Sequence, residues 1–515
     1  MNRLYKLFCL ALLPLFAAAC SVNPVTGKNE FSLVSADQEV SLGQQNYQPS
    51  QQAQGGRYYI DPDLQFYVSE VGKKLAAVSD RPNLPYEFVV LNNSVPNAWA
   101  LPGGKIAINR GLLLHLNNEA ELAAVLAHEI VHAAARHSAQ QMTRGTLLGA
   151  GTQILGMAVG DSSYAQLANT ATQLGASAFM ARYGRAAELE SDAYGMRYMA
   201  RAGYDPQGAV TLQETFVKLS KGKNPGFLEG LFASHPPSQE RVNANRALAK
   251  TLPAGNSYTQ RYQQKIAQLK QDEPAYQAEE EAIKALNNKN PQLALSQLDK
   301  AVKIQPADGY FWELRGHAWK MQKDFKKADQ AFTTAISKNP DLFSHYLARG
   351  ILRYEQGNKQ AAKTDLEHSN QLLKTQAASY LLGELAMQSN NTNAALGYYQ
   401  SAAQGGGQFG QQAQLRLAAL EIPKAPDKYI ASQPYVKNGQ LLILLQNRSP
   451  VSVSNVGVEV SEMLNAYLAG PSATYQVSGV LKPGQQTAVA TPIRGLTAEA
   501  ARNYRARVIA AQVEQ

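Results

Sequence analysis

The chain has 515 residues, more than one hydrophobic core usually organises, so we expect roughly two to four domains. Hydrophobic residues make up 45% and charged residues 17% of the sequence, which excludes wholesale disorder. The formal net charge of +9 comes from Lys and Arg interspersed with Asp and Glu, and no nucleic-acid-binding motif accompanies it. We therefore interpret the charge as a solvated surface and predict no nucleic-acid partner.

Residues 1–19 are predicted to be a lipoprotein-type signal peptide. A basic start precedes an apolar stretch over residues 7–16, and three alanines then lead to Cys20. This ending resembles a bacterial lipobox, in which the cysteine is diacylated, although an Ala-x-Ala ending also suits ordinary signal peptidase. Because Cys9 would be lost with the signal, Cys20 cannot form an internal disulfide, and we expect it to be lipidated. With Ser21 rather than Asp next to it, the anchor would favour the outer membrane, on the periplasmic side.

Residues 20–255 contain the concentrated chemistry of the chain. Gly/Pro-rich turns interrupt their helical periodicity. Residues 86–91 and residues 106–108 both have a strand-like pattern, and a predicted turn at residues 102–104 lies between them. No apolar run beyond the N-terminus is long enough to cross a bilayer, so we expect the mature chain to be soluble apart from any anchor.

A helix rich in Glu, Leu and Ala is predicted over residues 120–136. It carries His128 and His132 four residues apart, which places both imidazoles on one face, where they can share a tetrahedral metal. Glu129 then lies beside the open position of that metal. A carboxylate there can take the proton of a water that attacks a peptide carbonyl, so the segment predicts a zinc peptidase.

The third metal ligand distinguishes the classes of such peptidases. Metzincins require Gly at position 135 and His at position 138, where this chain has Ala135 and Ser138. His137 is one residue away from the required position and about 140° around the helix from His132, so it would face elsewhere. We interpret His137 as a surface or capping histidine, which leaves a Glu from a second helix as the alternative ligand.

Residues 188–192 offer that ligand. Glu188 and Asp192 would share one helix face, with Glu188 on the metal and Asp192 accepting a hydrogen bond from a metal-bound histidine. Glu190 would point away from the metal.

Residues 270–420 repeat at a period close to 34, the length of a tetratricopeptide unit of two antiparallel helices. A fourth unit is one residue shorter than the others, and residues 411–420 are predicted to close the array. Stacked units create a concave face that usually binds peptides or proteins, although a spacer role is the alternative. The small residues that define the period are Ala294, Ala328 and Ala362, followed by Leu298, Phe332 and Leu366.

After a Pro-containing linker over residues 422–434, the pattern changes to period two. Short β-branched runs are separated by Gly, Pro, Asn and Ser, which predicts an immunoglobulin-like β-sandwich without a disulfide over residues 425–515. Its expected role is interaction or positioning. The predicted strands cover residues 441–445, 451–460, 475–480, 487–490 and 504–511.

Three segments together resemble a known family. Residues 97–104, 121–132 and 188–192 are similar in order and spacing to the gluzincin family of HtpX, the CAAX prenyl endopeptidases and the BepA-like periplasmic proteases. The resemblance covers roughly residues 30–250. It implies endopeptidase activity with one Zn²⁺ per chain. BepA-like members also carry C-terminal tetratricopeptide repeats and act in proteolytic quality control of outer-membrane β-barrel assembly.

The resemblance also assigns roles to further positions. Asn97, Ala98, Trp99 and Ala100 would lead into a strand that aligns an extended substrate beside the zinc, with an ordinary hairpin as the alternative. His235 matches the His-Pro segment of the family and would act as a latch on the metal or as an oxyanion stabiliser, with a plain loop histidine as the alternative. The sequence itself favours Arg241 as an anchor of that loop.

We therefore predict a multidomain, mainly α protein. It comprises a zincin-type α+β metallopeptidase domain, an α-solenoid of repeats and a C-terminal β-sandwich. Its metal ligands are His128, His132 and Glu188, with Glu129 as general base and Asp192 supporting a ligand. The expected function is hydrolysis of misfolded or unassembled envelope proteins, with the repeats recruiting clients or assembly machinery. The alternative is a chaperone or adaptor whose repeats do most of the work.

Overall fold

A computed structural model describes residues 20–143, 183–221, 230–464 and 468–514 of the chain. These residues divide into two compact units, Met1–Ala348 and Arg349–Gln515. The predicted signal peptide lies outside the described residues, and of Cys20 only the backbone is described. None of the described helices combines the length and hydropathy that a bilayer crossing requires.

The first unit begins with a short hairpin of β1 (Cys20–Val22) and β2 (Asn29–Phe31), followed by α1 (Ala36–Ala53) and α2 (Pro62–Ala76). Ser35 begins α1 with a capping box, because its hydroxyl accepts from the Gln38 amide while the Gln38 side chain accepts from the Ser35 amide.

A three-stranded sheet follows, with the order β3 (Glu87–Leu91), β5 (Lys105–Asn109), β4 (Ala98–Leu101). β3 pairs parallel with β5, and the turn Pro102–Gly104 joins β4 to β5 as an antiparallel hairpin. The partner across that turn is therefore β4, and the pairing of residues 86–91 with 106–108 that the sequence suggested is parallel instead. β4 is an edge strand of this sheet.

The sheet packs against α4 (Glu119–Ala134), the helix that carries both predicted histidine ligands. Asn118 caps it by accepting from the Glu121 amide. Every residue of α4 is buried, which explains its alanine-rich composition. The helix ends two residues before the predicted position 136, because Arg136 adopts a left-handed φ of 63°.

Helix α5 (Arg185–Arg201) packs along α4. Their approach is close, since a Cβ added at Gly195 would lie 3.2 Å from the backbone nitrogen of His128. Further helices of this region are α3 (Arg110–Leu113), α6 (Gln207–Lys221), α7 (Leu231–Ser234), α8 (Gln239–Ala249) and α9 (Thr259–Lys265).

Helical hairpins occupy the region in which the sequence predicts repeats. The second helices of successive units begin at residues 291, 325, 359 and 392, so the spacing is 34, 34 and 33 residues. This matches the predicted period, including the shorter last unit. The helices are α10 (Ala267–Asn287), α11 (Pro291–Ile304), α12 (Gly309–Met321), α13 (Phe325–Lys338), α14 (Phe343–Glu355), α15 (Lys359–Leu372), α16 (Gln376–Gln388), α17 (Thr392–Ala403) and α18 (Gly407–Glu421).

Within the first unit, buried polar contacts hold the earliest of these helices against the sheet region. Arg110 Nε donates to Asn92 Oδ1 at 2.7 Å, and its Nη2 donates to Glu279 Oε2 at 3.1 Å. Asn92 Nδ2 in turn donates to Asp308 Oδ2 at 2.9 Å. The Arg110 guanidinium also lies 3.3 Å from the centre of the Tyr276 ring. We call this group of residues the Arg110 cluster.

The C-terminal region of the second unit has six strands, β6 (Ile430–Lys437), β7 (Gln440–Asn447), β8 (Val453–Met463), β9 (Ala469–Val477), β10 (Gln486–Arg494) and β11 (Tyr504–Val513), among the described residues. They form two three-stranded antiparallel sheets, ordered β10-β7-β6 and β11-β8-β9, whose side chains share one apolar cluster. The sequence missed β6, which lies partly in the predicted linker and contains Pro434. Proline cannot donate to a sheet ladder, and β6 is an edge strand, where that loss is tolerated.

Candidate metal centre

The two histidines of α4 point the same ring nitrogen toward a common point. His128 Nε2 and His132 Nε2 lie 3.0 Å apart, and both side chains are buried. Glu188 from α5 reaches the same point, with one carboxylate oxygen 3.6 Å from His128 Nε2 and the other 3.4 Å from His132 Nε2. The structure thus brings together the three residues that the sequence predicted as ligands.

The opposite ring nitrogens of the histidines have separate partners. His128 Nδ1 lies 2.9 Å from Asp192 Oδ1, as predicted from the one-turn spacing of Glu188 and Asp192. Because an ionised carboxylate only accepts, His128 Nδ1 carries a proton, and Nε2, which faces Glu188 and His132, is the nitrogen without a proton in the neutral ring. This tautomer is the one that binds a metal through Nε2.

The interpretation of His137 as a surface or capping histidine is wrong. Its side chain is buried, and its Nδ1 lies 2.9 Å from His132 Nδ1. The helical projection that turned it away assumed that α4 continues through residue 137. The chain leaves the helix at Arg136, and the reversal of the backbone carries His137 back toward His132. Glu190 does point away from the ligand cluster, as predicted, but it contacts His137 Nε2 at 3.3 Å.

Glu129 lies beside the ligands without joining them. Its Oε1 is 3.5 Å from His235 Nε2, and its buried Oε2 has no hydrogen-bond partner among the described residues. Burial raises the pKa of this carboxyl, and the neighbouring His235 and His128 only partly oppose the shift. A raised pKa brings a carboxylate closer to the range in which it can accept and return a proton.

These residues fit a metal ion. His128, His132, Glu188 and His235 each offer a ligand atom, and these atoms all lie within 4.8 Å of one another. Although burial opposes ionisation of Glu188, His235, His128 and His132 outweigh it and hold the pKa of its carboxyl well below the usual range. The Arg241 guanidinium lies 2.8 Å from Glu188 Oε2, and both carboxylate oxygens also lie near imidazole nitrogens. An ionised carboxylate beside imidazole nitrogens is a donor set that suits a divalent transition metal.

The balance of charge at His128 and His132 agrees with this reading. Burial lowers the pKa of His128, but its bonds with Asp192 and Glu188 outweigh burial and raise that pKa to about 9. Burial and the neighbouring His128 and His137 hold the pKa of His132 well below the usual value. The pair therefore favours one positive charge at the shared point, which a metal cation can supply instead of a proton.

His235 completes the cluster from the loop after α7. Its Nδ1 lies 3.0 Å from Glu188 Oε1 and 3.3 Å from His128 Nε2. Arg241 was predicted mainly to anchor this loop. Arg241 Nη1 does donate a hydrogen bond to the carbonyl oxygen of Pro236 at 3.2 Å.

Arg241 also contacts both carboxylates that support the histidines. It forms two hydrogen bonds with Asp192, at 2.6 and 2.7 Å, and its Nη1 lies 2.8 Å from Glu188 Oε2. Burial raises the pKa of Asp192, but the adjacent guanidinium outweighs burial and lowers it. Arg241 therefore keeps Asp192 ionised, so that it accepts from His128.

Tyr183 is a site residue that the sequence analysis missed. Its ring stacks on His132, with ring centres 3.9 Å apart and an interplanar angle of 23°. Its hydroxyl lies 2.9 Å from Ser138 Oγ, and burial raises its pKa. Tyr183 precedes α5 by two residues, so only the packing of α5 on α4 places it over the metal ligand.

The predicted substrate residues lie in β4 or directly before it. Ala98, Trp99 and Ala100 belong to β4, and Asn97 precedes that strand and accepts from the Asn109 amide through its carbonyl at 2.8 Å. β4 packs against α4. Separately, a cavity of about 30 Å³ adjoins Glu129 and His128, and its walls are largely apolar. They include Val125, Met196, Met199, Leu212 and Phe216.

Comparison with known proteins identifies the family to which this region is similar. The sequence profile of peptidase family M48 matches residues 62–249. The chain is 33% identical over 235 residues to the mitochondrial metalloendopeptidase OMA1 of Schizosaccharomyces pombe, covering 45% of this chain and 66% of that protein. It is 29% identical over 246 residues to the beta-barrel assembly-enhancing protease of Escherichia coli K12, covering 46% and 49% respectively. The chain thus spans about half to two thirds of the length of these relatives.

Solved structures are similar to a smaller part of the chain. An Arabidopsis OM64 TPR domain matches 23% of this chain and 98% of its own length, with 22% identity and a TM-score of 0.22. The crystal structure of MamA matches 28% of this chain and 85% of its own length, with 19% identity and a TM-score of 0.24.

Proposed function

Because residues 62–249 form a domain of peptidase family M48, we propose that the chain is a zinc-dependent endopeptidase with one Zn²⁺ held by His128, His132 and Glu188. The convergence of these three side chains beside the carboxylate of Glu129 supports the proposal most directly. Two imidazoles and one carboxylate are a ligand set that catalytic zinc commonly uses, with a fourth position left for water or substrate.

The surrounding residues account for the proton transfers of peptide hydrolysis. When bound, Zn²⁺ would polarise the scissile carbonyl and make an attacking water more acidic. Glu129 takes a proton from that water and later returns it to the leaving nitrogen, a task that its raised pKa favours. Asp192 holds His128 in the tautomer that leaves Nε2 free, and Arg241 keeps Asp192 ionised.

We place the substrate along β4. An extended peptide can pair with an edge strand through backbone hydrogen bonds regardless of its sequence, and β4 is an edge strand that packs on the metal-binding helix. Residues Asn97 to Ala100 would then align the scissile bond.

His235 acts as a latch in this proposal. Its position against Glu188 and His128 supports occupation of the fourth metal position in a resting state, which substrate must displace. His235→Ala should then raise basal hydrolysis of a short peptide. A loss of hydrolysis would instead assign His235 to stabilisation of the oxyanion.

The proposed setting is the bacterial cell envelope, with clients among misfolded or unassembled envelope proteins. The similar protein of Escherichia coli is a beta-barrel assembly-enhancing protease, and the signal-like residues 1–19 with Cys20 support export and a lipid anchor at the outer membrane. Incorporation of labelled palmitate that Cys20→Ser abolishes is the expected result. Unchanged labelling would reject the anchor at Cys20.

We propose three functional domains. Residues 20–255 are the peptidase, residues 270–420 are the repeats that recruit clients or assembly machinery, and residues 425–515 are a β-sandwich that positions them. Buried residues at the repeat period, such as Ala294 and Leu298, support the middle assignment.

The peptidase proposal is tested with Glu129→Gln in the full chain. We expect hydrolysis of an unfolded protein by the zinc-loaded variant to fall by about 10²- to 10⁴-fold, because the amide cannot accept the proton, while one zinc per chain remains bound. Glu214→Gln, an exposed carboxylate that pairs with Arg246, is the control and should retain full hydrolysis. Wild-type hydrolysis by Glu129→Gln would reject the mechanism.

The second candidate is a chaperone or adaptor that works mainly through its repeats. The helical hairpins of the repeat region favour this role, because stacked repeats usually bind proteins. The contact of His235 with the ligand cluster also favours it, because a peptidase whose metal site is blocked at rest would cleave substrates rarely. If Glu129→Gln restores envelope integrity in cells that lack the chain as well as the wild type does, the adaptor role is primary.

A further inference from the structure

A chain of buried and partly buried polar contacts leads from the N-terminal hairpin to the metal ligands. Asn23, between β1 and β2, is 1% exposed. Its Oδ1 accepts from the amides of Val25 and Thr26 at 2.9 and 3.2 Å, which fixes the side chain in the turn. Its Nδ2 donates to Glu30 Oε1 at 3.2 Å and to Glu190 Oε1 at 3.3 Å. Asn23 therefore holds the Glu190 carboxylate in place from outside α5.

The hydrogen bonds that join Glu190, His137 and His132 have one consistent assignment of donors and acceptors. Glu190 only accepts, so His137 Nε2, at 3.3 Å, carries a proton and donates it. His137 Nδ1 is then a free acceptor, and it lies 2.9 Å from His132 Nδ1. The proton between these two nitrogens belongs to His132, which leaves His132 Nε2 unprotonated and facing Glu188.

The backbone that makes this possible is held by a separate ion pair. His137 reaches His132 only because Arg136 has a φ of 63°, a conformation that costs a non-glycine residue energy. The Arg136 side chain binds Glu39 Oε1 at 2.5 Å and the carbonyl oxygen of Val34 at 2.6 Å. These bonds stabilise the reversal of the chain at the end of α4. The position of His137 is thus determined by contacts on both sides.

We propose that Glu190 and His137 are positioning residues that orient His132 for metal binding, and that Asn23 of the N-terminal hairpin completes this support. The arrangement parallels that at His128, where Asp192 accepts from Nδ1 and Arg241 holds Asp192. Each metal-binding histidine then has its own acceptor at Nδ1 and its own carboxylate, which is buried at Asp192 and partly exposed at Glu190. Such outer partners fix the tautomer and the ring orientation of a ligand, and their loss typically weakens metal binding by about 10- to 100-fold.

The inference rests on the proposed function and extends it to residues outside the M48 match. Asn23 and the hairpin precede residue 62, where that match begins. The metal centre of this chain therefore includes a segment that follows directly on the proposed lipid anchor at Cys20. Removing the hairpin contact should weaken zinc binding even though every ligand remains.

The test measures zinc affinity of full-length variants by competition with a chromophoric chelator. His137→Phe keeps the ring but offers no acceptor, so we expect the dissociation constant for Zn²⁺ to rise about 10- to 100-fold. His137→Gln can still accept through its amide oxygen and should recover a large part of the affinity. Glu190→Gln and Asn23→Ala should each raise the constant about three- to tenfold, while Glu214→Gln should leave it unchanged.

A spectroscopic readout separates positioning from a general loss of stability. With Co²⁺ in place of Zn²⁺, His137→Phe should shift the visible ligand-field bands, because the orientation of one imidazole changes. His137→Gln should restore the wild-type bands.

Zinc affinities within twofold of wild type in both Glu190→Gln and His137→Phe, with an unshifted Co²⁺ spectrum in His137→Phe, would overturn the inference. If His137→Phe does not fold, a wild-type affinity in Glu190→Gln and in Asn23→Ala has the same meaning. Absence of zinc binding by the wild-type chain would instead reject the proposed function itself, so the two failures are distinguishable.

Discussion

Glu279 in the Arg110 cluster should make the stability of the first unit depend on pH. Its side chain is buried, and burial raises the pKa of its carboxyl to about 7 despite the neighbouring Arg110. The ordinary value of 4.5 applies in the unfolded chain. Because the folded pKa is the higher one, this group stabilises the fold fully below about pH 4.5, and the contribution is lost as the pH rises through 7.

The magnitude follows from the two pKa values. Linkage gives a loss of about 1 kcal/mol at pH 5 and about 3 kcal/mol at pH 8, relative to the fully protonated fold. Glu279→Gln cannot ionise and should not show this loss. The free energy of unfolding of the variant, relative to wild type, should therefore be about 2 kcal/mol larger at pH 8 than at pH 5.

Urea titrations at the two pH values, followed by tryptophan fluorescence, measure this difference. The three tryptophans, Trp99, Trp312 and Trp319, all lie in the first unit and report on its unfolding. Titrating groups that do not interact with Glu279 contribute equally to wild type and variant and cancel in the comparison. Glu281→Gln, an exposed carboxylate that pairs with Lys284, is the matched control and should show no such pH-dependent gain. An equal effect of Glu279→Gln at pH 5 and pH 8 would refute the reasoning.

Three further changes have defined outcomes. Gly316→Ala should lower the free energy of unfolding by about 1–3 kcal/mol in urea titrations, because the added Cβ would lie 2.4 Å from the Phe332 ring. Gly397→Ala is the control. Its added Cβ would have no atom within 4 Å, so this variant should be neutral or stabilising. Arg241→Met should destabilise the metal-free protein by about 3–5 kcal/mol in EDTA, because it leaves Asp192 as a buried charge without its partner. A loss of stability below about 1 kcal/mol would contradict the proposed role of the Arg241–Asp192 ion pair. Chelation of zinc should lower the thermal unfolding midpoint, and adding zinc back at about 1,000 times the dissociation constant should recover about 4 kcal/mol. An unchanged midpoint by calorimetry would argue against a metal that binds the folded state.

The metal ligands could be predicted because local spacing determines which side chains share a helix face. Residues four apart in a helix share a face, so His128 with His132 and Glu188 with Asp192 were paired before any tertiary information. The same holds for the repeats, whose period is a property of the sequence. β6 was missed for a local reason as well, since Pro434 argues against a strand except at a sheet edge, and the sequence does not say which strands are at an edge.

The support around the ligands depends on where helices end and how they pack. His137 was misplaced because helical geometry was extended past Arg136, whose left-handed backbone is held by Glu39 from another helix. Tyr183 and Asn23 reach the centre only through the packing of α5 and the N-terminal hairpin. The sequence by itself determined which residues can bind the metal, since helical periodicity sets their faces. Only the tertiary structure decided which residues orient them, because those contacts join segments far apart in the chain.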